Sequence, residues 1–555
     1  MTADAAAGSA QRTVRRLITY LLLFALVVVA AVGLSGLLER LLVAGTELAT
    51  ADVAGLARSL AFALIGGPLA ALLWWVVWRR LADDTERASV GWGLYVSGAY
   101  VVSLVVATTN LLSTLSTLIA GQSQQWRTSL AAGVVWAGVW VWHRWMWRHP
   151  RKRPLDLTEV PTLLGAYFGL VIGAGGAIAA LSTLFDAALR GATTAATVGK
   201  PWWVSALQSL IWAAGGALVW WWHWKHDGGR RLRGGLANVA LIAVGVLGAG
   251  VLTLGGAGVV LFVLLRLAFD RTDAMDVMLE PLAPAVAAAA VGSLVWVYHR
   301  GLARDSSETI RQGSRLVTSG VALVAAASGI GVIVNAALAM AATPLAGSGA
   351  RTLLLGGISS LLVGGPVWWL TWKPLDRTSL AAPGAAGGPA WLNARRVYLI
   401  VVFGVSAVVA VITLLVIGFR MFEYYLGDLS GGSLVERIRA PLGLLVATGL
   451  VAGYHFAVWR HQRAVLTAAG TVRKSSIGHV LLVTGGNPAP LHRAIEEATG
   501  AGVTVWRRAD VGTGPGPDAG RLAGELAGRL EGVTGNRVLV TVSPDGTIDV
   551  IPLLG

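Results

Sequence analysis

Residues Val139–Arg153 read VWVWHRWMWRHPRKR: four tryptophans, two histidines and five basic residues around one proline. Such a stretch suits a metal site, a nucleic-acid patch, a cofactor box or the end of a membrane helix, and its recurrence chooses among them. WWVVWRR begins at Trp74, WWWHWKH at Trp220, WVYHR at Trp296, WWLTWK at Trp368 and YHFAVWRH at Tyr454. Each closes an apolar run. An indole is an apolar ring with one wet N–H, so it settles at headgroup level, and Arg or Lys just beyond it meets anionic lipid. The six boxes therefore read as anchors at the ends of membrane helices.

Composition agrees. The 555 residues are 55% hydrophobic and only 13% charged, with mean hydropathy +0.66, too little charge to cover a soluble surface. LITYLLLFALVVVAAVGLSGLL, from Leu17, carries no charge and is long enough to span a bilayer. It is too long for a signal-peptide core and no clear small-residue cleavage site follows it. The expected fold is an all-α polytopic membrane protein with about twelve transmembrane helices as six tandem hairpins, followed by a small C-terminal α/β domain. The expected divisions are an N-terminal tail (1–16), hairpins at 17–90, 91–158, 159–234, 235–313, 314–378 and 397–466, a flexible linker at 379–396, and the terminal domain at 475–555.

The net charge of +15 does not imply nucleic acid. From Gly470 onward eight basic residues face eight acidic ones, so the excess belongs to the membrane portion. The N-terminus and the segments after the boxes, the last of them reaching to Lys474, hold 27 Lys and Arg against 11 in the alternate loops. By the positive-inside rule the boxes and both termini are expected on the cytoplasmic side of a cell membrane, with anionic lipid headgroups as partners at that face. The absence of cysteine excludes disulfides, thiolate metal sites and cysteine nucleophiles.

Two features of the spans bear on chemistry. His143, His223, His299 and His455 each follow an aromatic residue directly. In a closed ring of hairpins they would gather at one mouth, where imidazoles bind metal or sense pH. The first and fifth boxes lack histidine, and the anchoring reading is favoured; no metal or cofactor is expected. Gly165, Gly169 and Gly173 form GxxxGxxxG, which permits close helix approach in lipid. Asn110 and Asn335 lie inside spans and should face protein, either bonded between helices or lining a polar path. No Asp, Glu, Lys or Arg stands clearly mid-span, whereas coupled carriers usually need such groups.

Beyond Gly470 the period changes. GHVLLVTGG, PLHRAIEEATG, VTVWRR, DAGRLAGELAGRLEG and RVLVTVSPDGTIDVIPL read in order as strand, helix, strand, helix and hairpin. Asp518 is the expected cap of the second helix and Pro544-Asp545-Gly546 the hairpin turn. TGGNPAP joins the first strand to the first helix, where α/β domains bind phosphate, so Gly485, Gly486 and Asn487 are candidate anion-loop residues. The third glycine of a dinucleotide fingerprint and the Lys-Ser/Thr of a P-loop are both missing. An ordinary turn is favoured, and a protein partner is the alternative role for the domain.

GGPVWWLTWK, Gly364–Lys373, with the apolar helix before it, resembles a bacterial membrane repeat catalogued as a domain of unknown function. LIGGPLAALLWWVVWRR, Leu64–Arg80, matches the same pattern with four extra residues after Pro68. The second, third, fourth and sixth boxes keep the aromatic, basic end without the proline. The resemblance covers roughly residues 16–465. It implies a two-helix repeat and a bacterial inner-membrane location, and supplies no activity or catalytic residue.

With no catalytic constellation visible, the expected role is a non-enzymatic membrane scaffold or sensor that displays the α/β domain. The alternative is a channel or carrier for a neutral or hydrophobic solute, regulated by that domain. A polar cavity where Asn110 and Asn335 converge would favour the carrier.

Overall fold

The computed structural model describes residues 2–44, 52–121, 125–193, 201–342, 349–380, 389–427, 433–468, 477–486, 488–499, 501–508, 519–530, 533, 537–543 and 545–553. The chain divides into two compact bodies, Met1–His455 and Phe456–Gly555, each taken by itself here.

Among the described residues twelve long helices precede the terminal domain: α1 (Thr2–Val43), α2 (Val53–Arg80), α3 (Val90–Ile119), α4 (Gln125–Arg148), α5 (Val160–Thr193), α6 (Trp202–His226), α7 (Gly235–Phe269), α8 (Leu282–Arg304), α9 (Glu308–Ala342), α10 (Gly349–Leu380), α11 (Pro389–Leu426) and α12 (Leu434–Ala468). Eleven contain a stretch long and apolar enough to cross a membrane, which makes this a multi-pass membrane protein. The exception is α4. Its 24 residues are long enough, but six tryptophans, each with a polar N–H, lower its hydropathy. It packs all the same on α1 and α3, where Trp136 is buried with Ala31 and Ala107.

Helix occupies both ends of the stretch read as a linker. α10 continues to Leu380 and α11 begins at Pro389, because LDRTSL and WLNARR contain no helix breaker and Pro389 suits a first helical position. Only 381–388 remain between the two, outside the described residues.

The helices form three bundles of four, α1–α4, α5–α8 and α9–α12. In each, the first helix packs on the second and also on the fourth. Small residues set these distances, as the glycine pattern predicted. A Cβ on Gly173 would lie 3.0 Å from Ala217 N of α6, and one on Gly331 3.0 Å from Gly443 O of α12. With lipid tails as apolar as leucine, such backbone approach supplies the packing that burial supplies in water. Neighbouring bundles join through a recurring contact, the third helix of one against the second and first helices of the next. Gln208 Nε2 donates to Ser116 O at 2.9 Å between α6 and α3, and Ser359 Oγ to Gly258 O at 2.8 Å between α10 and α7.

The terminal domain contains β1 (His479–Thr484), α13 (Ala489–Thr499), β2 (Gly502–Arg507), α14 (Ala519–Leu530), β3 (Arg537–Val542) and β4 (Ile548–Leu553), the expected order. The sheet runs β2-β1-β3-β4, with β1 parallel to both neighbours and β4 antiparallel to β3. Alternation along β1 and β3 buries Val480, Leu482, Val538, Val540 and Val542 beneath Leu491 and Ile495 of α13 and Leu522, Leu526 and Leu530 of α14. Asp545 Oδ1 accepts from Thr547 N at 3.0 Å in the β3–β4 turn, and Gly546 takes the left-handed φ of 87° there. Asp518 and Pro544 lie outside the described residues.

Residues 475–555 alone are therefore expected to be soluble and to fold cooperatively with modest stability, about 80 residues being a small core. In that fragment Leu526→Ala should cost about 3 kcal/mol and unfold most molecules. Dispersed amide signals lost in the variant would bear this out, and undispersed signals from the parent fragment would refute it.

Candidate functional site: aromatic clusters and a shared carboxylate

Each bundle ties its Trp-rich ends together with the same device. The second helix supplies two tryptophans four residues apart, and the fourth supplies an aromatic residue followed by histidine. In the first bundle Trp74 of α2 meets Trp142 edge-on at 5.6 Å and His143 at 6.2 Å, both on α4. In the second, Trp220 and Trp224 of α6 meet Tyr298 at 5.9 Å and His299 at 6.0 Å on α8. In the third, Trp368 and Trp372 of α10 meet Tyr454 and His455 of α12, both at 5.6 Å. Trp224 and Trp372 each donate Nε1–H to the tyrosine hydroxyl at 2.7 Å. The first bundle has tryptophan at the corresponding place and stacks Trp78 on Trp145 instead, 8° from parallel.

The histidines are buried and share one geometry. Nδ1 of His143, His223, His299 and His455 lies 2.8 Å from the carbonyl oxygen four residues earlier, on Val139, Val219, Val295 and Val451. A carbonyl only accepts, so Nδ1 carries the proton and Nε2 of the neutral ring is an acceptor. Tyr95 donates to Nε2 of His143 at 3.0 Å, and Tyr100 to Nε2 of His223 at 2.8 Å. Nε2 of His299 and His455 has no hydrogen-bond partner among the described residues. His299 rests instead against Gly245, which lies in a π-helical turn of α7 (Leu241–Gly248) that bulges toward it.

The four imidazoles do not come together at one mouth. Three belong to separate bundles at equivalent places. His223 stands apart from that series, since it lies on a second helix and reaches across to Tyr100 of the preceding bundle. Among the described residues no group of three or more His, Asp or Glu could hold a metal ion.

A charged cluster that the sequence reading missed lies beside His223. Asp227 follows α6 directly, and its side chain is shut off from solvent. It accepts from Arg144 at 2.8 and 3.0 Å in a two-pronged pair, and also from Arg148, both on α4 of the preceding bundle. The Arg144 guanidinium also stands 5.2 Å from the Trp222 ring centre. Burial pushes the Asp227 carboxyl up, but the Arg144 hydrogen bonds and the charges of Arg144 and Arg148 outweigh it and hold the group below the usual carboxylate range. Gly228, at φ 81°, turns the chain immediately afterwards. The cluster is a fastening between bundles.

The two span asparagines are both hydrogen-bonded, Asn335 between helices as expected and Asn110 within its own. Asn110 Nδ2 donates to Val106 O of its own helix at 2.8 Å, and Asn335 Oδ1 accepts from Arg439 at 3.0 Å. They belong to the first and third bundles. In the terminal domain Gly485 and Gly486 form the bend after β1, while Asn487 lies outside the described residues. Gly486 N–H is turned toward Thr484 Oγ1 at 3.3 Å, and Pro490 brings no N–H to the start of α13.

The family described as a domain of unknown function (DUF5671) matches residues 16–141, 159–278 and 314–450. The first and third matches run from the first helix of a bundle into its fourth, and the second ends at residue 278, before α8, so the repeat follows the four-helix bundle where a two-helix unit was expected. No curated protein and no solved structure matches this chain.

Proposed function

The chain belongs to the DUF5671 family, and from that premise we propose that it is a non-enzymatic integral membrane scaffold or sensor of a cell membrane, with both termini cytoplasmic. The carrying observation is that the span asparagines and the box histidines do not converge on one shared path. Asn110 and Asn335 serve separate bundles, and the histidines are locked to their own helix carbonyls. A carrier needs polar groups that converge and rearrange.

The display role draws support from the terminal domain. Its helices cover one face of the sheet, while Trp506 and Ile551, both exposed, share the other face with Leu481, Val483 and Leu539. An apolar sheet face of this kind suits a protein partner. Anionic headgroups fit the excess of Arg and Lys at the box ends.

Two measurements test the reading. Reporter fusions after Arg80 and after Arg463 should both report cytoplasm, and a periplasmic signal at either would reverse the orientation. Proteoliposomes holding the full chain should admit glycerol and other neutral solutes no faster than empty vesicles. Protein-dependent swelling would replace the scaffold with the carrier.

A further inference from the structure

The corner between α8 and α9 gathers four guanidinium groups around one hollow. Arg300 and Arg304 stand one turn apart near the end of α8, and Arg311 and Arg315 one turn apart near the start of α9. All four line a cavity of about 270 Å³, counting its open mouth, together with Ala303 and the buried Ser314. Counter-charge is scarce. Glu308, exposed at the rim, pairs with Arg311 and accepts from Gln312 Nε2. Asp305, next in sequence to Arg304, forms no ion pair, and neither do Arg300, Arg304 or Arg315 among the described residues. The Arg300 guanidinium stands 5.4 Å from the Trp296 ring centre.

Like charges held together at a helix corner repel, and a protein seldom keeps such a cluster without something to neutralise it. The Asp227 cluster shows the contrast, since there two arginines share one buried carboxylate. Arginine forks match the oxygens of a phosphate, which accept several charge-assisted hydrogen bonds at once. We propose that the α8–α9 corner is a binding site for a phosphate group, held by Arg300, Arg304, Arg311 and Arg315. Lipid headgroups and soluble phosphate present the same chemistry there. This goes beyond the scaffold reading and does not depend on it, because a carrier could hold the same group.

The test is thermal unfolding of the full chain under three conditions. These are neutral detergent with rising inorganic phosphate against chloride at equal ionic strength, nanodiscs of phosphatidylcholine alone, and nanodiscs containing phosphatidylglycerol. The wild type should be stabilised by inorganic phosphate, by phosphatidylglycerol, or by both; the lipid alone marks a headgroup site and the ion a soluble ligand. Arg304→Gln with Arg315→Gln should raise the half-saturating concentration at least tenfold. Without phosphate this variant should unfold at a higher temperature than the wild type, since repulsion is relieved. Should it fail to fold, Arg304→Lys with Arg315→Lys keeps the charge, loses the fork and should still bind more weakly. A wild type indifferent to both phosphate sources overturns the proposal, as do variants that respond as the wild type does. The flux and topology measurements are unaffected by either outcome.

Discussion

Asp227→Asn is expected to destabilise the protein by about 3 kcal/mol, a large fraction of the stability of most domains. The carboxylate is shielded and neutralises Arg144, whose side chain is only 14% exposed, and Arg148, which is 47% exposed. Asparagine keeps the shape and removes the charge, so Arg144 is left beside Arg148 with no anion. Half-exposed Arg148 can turn to water, which keeps the cost below that of a fully buried pair. The pH dependence has a definite sign. The folded carboxyl titrates below its unfolded value of about 3.9, so its contribution is complete above about pH 4 and is lost as pH falls through the lower, folded-state pKa. Thermal midpoints of wild type and variant should differ most near neutrality and converge in acid. A gap that stays constant down to about pH 3 would show that the charge is not what matters.

Gly216→Leu should be at least as damaging, by about 3 kcal/mol or more. A Cβ on Gly216 would meet the Gly173 nitrogen, lie 2.5 Å from Gly173 Cα and 2.8 Å from the Ile172 carbonyl carbon. All three are backbone atoms, and no rotamer change moves them. α5 and α6 must separate, and with them goes the seat of His223 against Gly165 that lets it reach Tyr100. Gly175→Ala on α5 is the control. Nothing lies within 4 Å of its Cβ position, and alanine gains roughly 0.5–1 kcal/mol in a helix. Equal unfolding midpoints for the two variants would show that the α5–α6 approach is not what holds that bundle.

How much of this was legible in the sequence depended on the length scale of the signal. Span length and apolar composition located the helices, and the change of period after Gly470 set out the order of strands and helices in the terminal domain. GxxxGxxxG marked one close helix pair, α5 on α6. The four-helix period stayed hidden because all six boxes look alike in composition. What separates them is position: two tryptophans four apart at Trp74, Trp220 and Trp368, against an aromatic-histidine pair at Trp142, Tyr298 and Tyr454. The two patterns complement each other only when their helices meet. That also explains why the first and fifth boxes have no histidine, and why His223 in the third is the exception. Asp227 was invisible for a different reason. In sequence it is one acid in a basic loop, and its partners lie 79 and 83 residues away on another bundle.

The contact between bundles has an arithmetic of its own. Because a third helix always meets the next second helix, the two surfaces differ, and using one never consumes its own kind. Such a joint is directional, as between bricks laid in a course, and nothing in it sets how many bricks are laid. α11, the third helix of the last bundle, turns Val401, Val405, Val408, Ile412 and Leu415 outward. A gene encoding this chain that gained or shed a whole bundle would leave each four-helix core closed, so long as the cut fell between bundles and not between hairpins, while loss of the first joint would leave Asp227 or Arg144 without its partner.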